Sequence, residues 1–158
     1  MLHEYEELLH GESEWQARAR ELSEKTYEFT QFLVNVLKVE KVGATYQGKA
    51  TYHTSCHMTR LLKEKEAPFK LLEQVDGLEL EPLPNKETCC GFGGTFSVKM
   101  PTISEQMVEE KARNIERTGA EVLIGADCGC LMNIGGRIER NGQKVQVKHI
   151  AQILNSKE

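Results

Sequence analysis

The chain has 158 residues, 39% of them hydrophobic and 28% charged, with a net charge of -4, the balance of one globular domain whose core needs no disulfide staples. No basic stripe stands out, which argues against nucleic acid as a partner. No apolar run approaches the roughly 20 residues of a membrane span, and residues 1–10 are acidic without the layout of a leader, so the expectation is a cytoplasmic protein that reaches a membrane only through partners.

The first third reads as helix. Leu8, Leu9, Trp15, Leu22, Phe29, Phe32, Leu33, Val36 and Leu37 recur at helical intervals. Gly11 and the Ser13-Glu14 step divide them into helices over 2–9 and 14–37. Their Glu-rich faces are expected in solvent and the apolar stripe against a core. Residues 38–49, with Gly43 and Gly48, read as a connector. The expected organisation is a helical segment and connector over 1–48 and an α/β domain over 49–158.

Residues 50–55 are a β-rich run ending at Cys56, and 59–65 allow a helical turn or two. Pro68 opens a short helix over 69–75, in the first-turn position that proline tolerates. Residues 78–83 alternate and read as a strand leading to Cys89 and Cys90, followed by the loop Gly91-Phe92-Gly93-Gly94. An amphipathic helix over 102–118 carries Ile103, Met107, Val108, Ala112 and Ile115 on one side. Thr102 and Glu105 fit a capping box, and Gly119 fits a C-terminal stop. Residues 121–126 read as a buried strand running into Asp127-Cys128-Gly129-Cys130. A helix over 131–140, a turn at Asn141-Gly142, a strand over 145–148 and a helix over 150–154, capped by His149, complete the pass. This alternation predicts an α/β fold: a small, mostly parallel four-stranded sheet with flanking helices, preceded by an N-terminal helical segment. No strand precedes the first helix, which suggests a piece of a longer protein.

Five cysteines need a reason. In a reducing compartment their spacing points to ligation or redox work rather than a disulfide framework. Each follows a predicted strand: Cys56 the first, Cys89 and Cys90 the second, Cys128 and Cys130 the third. Ligands of open α/β sheets bind outside the carboxyl ends of the strands, so separate loops would deliver thiols to one edge. Thiolates are the soft ligands that hold zinc and iron–sulfur clusters. Adjacent Cys89 and Cys90 do not easily share one tetrahedral ion and suit a larger cluster. Gly91, Gly93 and Gly94 would let the backbone approach an inorganic core. His53 and His57, on either side of Cys56, are candidate ligands or proton handlers, and otherwise hydrogen-bonded scaffold. Lys99 either balances cluster charge or lies in solvent. Met58, Met100, Met107 and Met132 read as core filler. Asp127 reads first as a helix cap. No general base, nucleophile or nucleotide motif is evident. A zinc-bound structural or docking module is the competing reading, and a thiol switch using Cys89 with Cys90, or Cys128 with Cys130, is a third.

The motifs Tyr52-His53-Thr54-Ser55-Cys56, Cys89-Cys90-Gly91 and Asp127-Cys128-Gly129-Cys130 resemble the cysteine-rich CCG domain found in heterodisulfide reductase and in the iron–sulfur component of glycolate oxidase. That pattern is a cysteine, a long gap, Cys-Cys-Gly, a similar gap, then Cys-x-x-Cys. The resemblance implies a four-iron (4Fe-4S) cluster, cubane or non-cubane, held by Cys56, Cys89, Cys90 and Cys130, and an electron-carrying role without a substrate site of its own. The stretches CCGFGGTFSVKM (89–100), GADCGCLMNIGGR (125–137) and VKHIAQIL (147–154) are similar to a subgroup serving bacterial oxidation of L-lactate to pyruvate. The implied partners are the other subunits of such a complex. Members usually carry two CCG units, so the likeness also implies a missing N-terminal CCG half. There is one departure: Asp127 stands where the first cysteine of Cys-x-x-Cys is expected. Cys128 by a loop shift, Asp127 through oxygen, or a set one ligand short are the alternatives.

Overall fold

The computed structural model describes residues 2–157, which divide after Lys38 into two units. The first is helical. A 3-10 turn, Leu2–Glu4, leads into α1 (Tyr5–Leu8), followed by α2 (Ser13–Glu24) and α3 (Phe29–Gln31), which continues as a π-turn over Phe32–Val36. The single helix expected over 14–37 is therefore broken. Thr26 Oγ1 donates to the Leu22 carbonyl at 2.7 Å and closes α2. Glu28 then opens α3: its carboxylate accepts from the amides of Thr30 and Gln31, and Gln31 Oε1 accepts from the Glu28 amide. This capping box inside the apolar stripe starts a new helix. Leu8, Trp15, Leu22, Phe29 and Phe32 are exposed rather than turned to a core. Helices this short enclose little apolar surface by themselves.

The second unit is an α/β layer. Its strands are β1 (Thr45–His53), β2 (Asp76–Glu81), β3 (Val122–Gly125) and β4 (Gln146–His149). All pair in parallel, in the order β2-β1-β3-β4, so the expected sheet is found, parallel throughout. Strand β1 begins inside the expected connector. Gly48, at φ +141°, sits at a register shift against β2 that the residue pattern does not announce. The central strands are buried on both faces, which is why β3 reads VLIG with no polar alternation.

The connecting helices are α4 (Ala67–Leu72), α5 (Thr95–Lys99), α6 (Pro101–Arg117), α7 (Cys128–Arg140) and α8 (Ile150–Leu154). The capping box expected from Thr102 and Glu105 does not form. Pro101 starts α6 one residue earlier, and Met100 caps it without a side-chain bond. Gly119, at φ +67°, ends the helix as expected. His149 does cap α8: its Nδ1 accepts from the Ala151 amide at 3.2 Å, and Gln152 returns the bond. The core lies where Val108, Ala112 and Ile115 of α6 and Leu131, Ile134 and Ile138 of α7 close over Leu123. Among the described residues no helix is long and apolar enough to cross a membrane.

Candidate metal centre

The connections from β1 and β3 leave in opposite directions, to β2 and to β4. Neighbouring strands with diverging connections leave a crevice at their carboxyl ends, where ligands of open α/β sheets bind. Here those ends are His53 and Gly125, which pair directly. Gly125 has no side chain, and Leu131 occupies the space. A Cβ on Gly125 would stand 2.9 Å from Leu131 Cδ2. The first turn of α7 is thereby drawn onto the strand ends, and it carries Cys130.

Cys130 is buried, 6% exposed, and Asp127 fixes it by accepting its amide through Oδ1 at 2.8 Å. Cys90, 2% exposed, lies at the end of the long loop after β2. Asn133 Nδ2 of α7 donates to its carbonyl at 2.9 Å. Ligand atoms of His53, Cys90 and Cys130 lie within 4.8 Å of one another, all three side chains buried. Cys56, just beyond β1, and Cys89 are half-buried, and their thiols lie within hydrogen-bonding reach of each other. Cys89 Sγ also accepts the Gly91 amide at 3.4 Å. Cys90, Cys130 and His53 thus form one tight group, and Cys56 and Cys89 form a second pair that feels the charge of Cys90 but lies outside that group. Cys128 is exposed. All five cysteines are free thiols.

The thiols are far from independent. Cys90 is held down to about 4, first by the hydrogen bond from the Cys130 thiol, then by His53 and the Phe92 amide, against the opposing effect of burial. Cys130 is pushed up by that same bond, by burial and by the charge of Asp127. The pair titrates as a unit that gives up its first proton readily and keeps its second. Cys89 is raised, chiefly by burial.

Gly91, Gly93 and Gly94 differ in what they do. Gly91, at φ +86°, lies against α6. A Cβ there would meet the Ser104 carbonyl oxygen at 2.6 Å, and Ser104 Oγ donates to the Gly91 carbonyl at 2.8 Å. Gly93, at φ +50°, sits against Phe96, whereas Gly94, at φ +55°, faces open space. Lys99 is exposed. His57 Nδ1 lies 3.7 Å from Asp127 Oδ2, and the carboxylate acts as the N-cap of α7.

One residue of the site is not among the candidates that the residue pattern singles out. Lys111 of α6 is 1% exposed, and its Nζ donates to the carbonyls of Asn85 at 2.8 Å and Lys86 at 3.5 Å. Its ammonium interacts electrostatically with Cys90, Cys89 and Cys130. It falls on the apolar stripe of its helix, three residues after Val108 and four before Ile115. A charged residue at such a position is the signal that could have found it.

The residues fit a thiophilic metal or cluster. The soft sulfur donors are buried, the easily formed thiolate of Cys90 is a ready ligand, and a nearby fixed cation offsets negative charge. Both nitrogens of His53 are buried without a hydrogen bond, a state that a bound metal would relieve. Fold and site together define an α/β domain with a thiolate and imidazole donor cluster at its switch point.

A profile of the cysteine-rich CCG domain matches residues 50–135, from β1 into α7 and through every cysteine, and the chain belongs to this CCG cysteine-rich domain family. It is also similar to proteins named Lactate utilization protein A. It is 75% identical to that of Shouchella clausii over 158 residues, 100% of this chain and 66% of the relative. It is 69% identical to that of Halalkalibacterium halodurans, covering 100% of this chain and 65% of the relative, and 66% identical to that of a Geobacillus species, covering 99% and 66%. The chain thus spans about two thirds of the length of these curated relatives.

Proposed function

We propose that this chain is an iron–sulfur, electron-carrying part of a lactate-utilisation system, holding a four-iron cluster through Cys56, Cys89, Cys90 and Cys130. The observation that supports the reading is the buried group of Cys90 and Cys130 with His53 at the switch point, with the Cys56–Cys89 pair electrostatically coupled to it through Cys90. The name shared by its relatives supplies the context of lactate utilisation, and the reaction proposed for it is oxidation of L-lactate to pyruvate with other subunits of a complex. A further CCG unit outside this chain would be one such partner.

When bound, the cluster supplies one-electron redox chemistry. This chain's residues hold and insulate it. Cys90 and Cys130 anchor it from the dry side, next to the core formed by α6 and α7. Cys56 and Cys89, both half-buried, would hold it where solvent and an electron partner can approach. Lys111 would contribute positive charge near the thiolates, which favours the more reduced state. The Gly91 and Phe92 amides donate to thiolate sulfur, which acts in the same direction. No substrate chemistry is assigned to these residues, so lactate would be oxidised elsewhere in the complex.

The competing reading is a zinc site. Zinc accepts mixed nitrogen and sulfur donors, and the tight group of His53, Cys90 and Cys130 favours it. The test is the iron, acid-labile sulfide and zinc content of protein purified and reconstituted without oxygen, together with its visible spectrum. Near-stoichiometric iron and sulfide, with absorbance bleached by dithionite and lost in Cys90→Ser, is the expected result. Zinc alone after reconstitution, indifferent to dithionite, rejects the electron-carrying role and leaves a structural site.

A further inference from the structure

Strand β1 ends in a histidine whose ring has nowhere to spend its polarity. His53 is 1% exposed, and neither Nδ1 nor Nε2 has a hydrogen bond. The polar group that interacts with the ring is the Cys90 sulfur, which the imidazole helps to hold as thiolate, but neither ring nitrogen makes a hydrogen bond of good geometry. Buried imidazoles ordinarily satisfy at least one nitrogen through protein or water. A buried pair left orphaned beside two thiols, with the ligand atoms all within 4.8 Å, has the arrangement of a donor waiting for a metal.

The start of α7 supplies the reason for a nitrogen donor. Asp127 stands where the CCG pattern has a cysteine, and its carboxylate is committed elsewhere. Oδ1 accepts the Cys130 amide at 2.8 Å, and Oδ2 lies 3.7 Å from His57 Nδ1. Cys128, the nearest thiol in sequence, is exposed. His53 reaches the same space from the paired end of β1, buried and fixed by strand pairing with Gly125.

We infer that His53 is a metal ligand, a fifth donor beside Cys56, Cys89, Cys90 and Cys130, supplying nitrogen in place of the thiolate that Asp127 does not provide. This rests on the cluster reading above and deepens it. Replacing a thiolate by neutral imidazole removes one negative charge from the ligand set, so the reduced state is favoured and the potential rises, as in clusters with mixed histidine and cysteine ligation. His53 therefore sets the potential as well as the occupancy of the site.

The test is pulsed electron paramagnetic resonance on protein labelled with nitrogen-15 histidine, reconstituted with iron and sulfide without oxygen and poised in its paramagnetic state. The expected spectrum shows one strongly coupled, directly coordinated nitrogen. That coupling disappears in His53→Ala and in His53→Cys. His53→Cys retains iron and sulfide and titrates at a lower potential than the parent. Parent protein full of iron and sulfide but lacking a coordinated nitrogen overturns the inference and leaves the cluster reading intact, and this outcome does not depend on any variant folding. Retention of the coupling in His53→Cys overturns it equally. Parent protein that takes up no iron and sulfide overturns the cluster reading, and this inference with it.

Discussion

Lys111 Nζ donates to the carbonyl oxygen of Asn85 at 2.8 Å, so a buried cation of α6 pins the turn that precedes Cys89 and Cys90. Asn85 adopts φ +53°, a conformation that asparagine tolerates better than most residues, and the ammonium reaches its carbonyl directly.

Lys111→Met should lower the stability of the metal-free protein by roughly 1–3 kcal/mol at neutral pH, the usual penalty for leaving buried carbonyls without a donor. The loss should also depend on pH. Burial is the main influence and lowers the pKa of Lys111 below its ordinary 10.5, although nearby thiolates and Glu110 oppose it. Between the folded value and 10.5 the unfolded chain holds more protons than the folded one, so this lysine's contribution rises with pH across that window. Urea unfolding under reducing conditions at pH 7 and near pH 10 should show the gap between parent and variant widening. A constant gap would mean that Lys111 is not buried as a charge.

Asp127 should behave as a cap. Asp127→Ala should cost about 1 kcal/mol, and Asp127→Asn, which keeps an oxygen acceptor, much less. Burial opposes ionisation of this carboxyl, but the Cys130 amide and thiol and the charge of His57 outweigh it and hold the pKa below the ordinary 3.8. Its contribution is therefore complete above 3.8 and is lost as pH falls through the folded value. Acid titration followed by circular dichroism should show Asp127→Asn without that component of acid sensitivity.

Gly91 and Gly94 should respond differently to the same substitution. Gly91→Ala forces a left-handed residue against backbone, with the Ser104 oxygen at 2.6 Å, and should cost more than about 3 kcal/mol while displacing Cys90. Gly94→Ala, with φ +55° and ψ -109° but open space around it, should cost about 1–3 kcal/mol from backbone strain alone and leave Cys90 in place. Thermal unfolding of the two variants gives the comparison, and equal shifts would mean that Gly91 is not wedged beneath α6.

The thiols should sort by access. Brief iodoacetamide treatment of the reduced, metal-free protein, read by peptide mass spectrometry, should label exposed Cys128 first, half-buried Cys56 and Cys89 next, and Cys90 and Cys130 last. Burial should outweigh the low pKa of Cys90 in this order, since a thiolate reacts only where reagent can reach it. Cys128→Ser should leave iron uptake unchanged. A loss of iron there would place Cys128 in the ligand set.

Much of this site is legible from spacing, because cysteines just past predicted strands meet wherever the sheet is parallel. Strand β3 is plain from its continuous apolar run, and β4 and α8 from the turn and cap around them. Helix α5 is not, since Thr95–Lys99 has only five residues and shows no period. The break between α2 and α3 is masked by an apolar stripe that runs across it, although Glu28 and Gln31 stand at capping-box spacing. His53 is one of two histidines flanking Cys56, and nothing local separates it from His57. Burial separates them, and burial at that position comes from pairing with Gly125, seventy-two positions away in the chain.

The place of β1 in the sheet also sets an order of assembly. Of the four strands of this sheet, the first to be synthesised ends between the second and third. While synthesis has reached only residue 81 or so, one edge of β1 has its neighbour and the other, from Ala50 to His53, is open until Val122–Gly125 is made. Cys130 arrives later still. A nascent chain halted in the α6 region carries an unsheltered apolar strand edge that invites pairing with another chain. Four of the thiols and the histidine can meet only once nearly the whole domain has left the ribosome, so loading with iron and sulfide would follow synthesis, and cofactor supply could limit how much of the finished protein is charged.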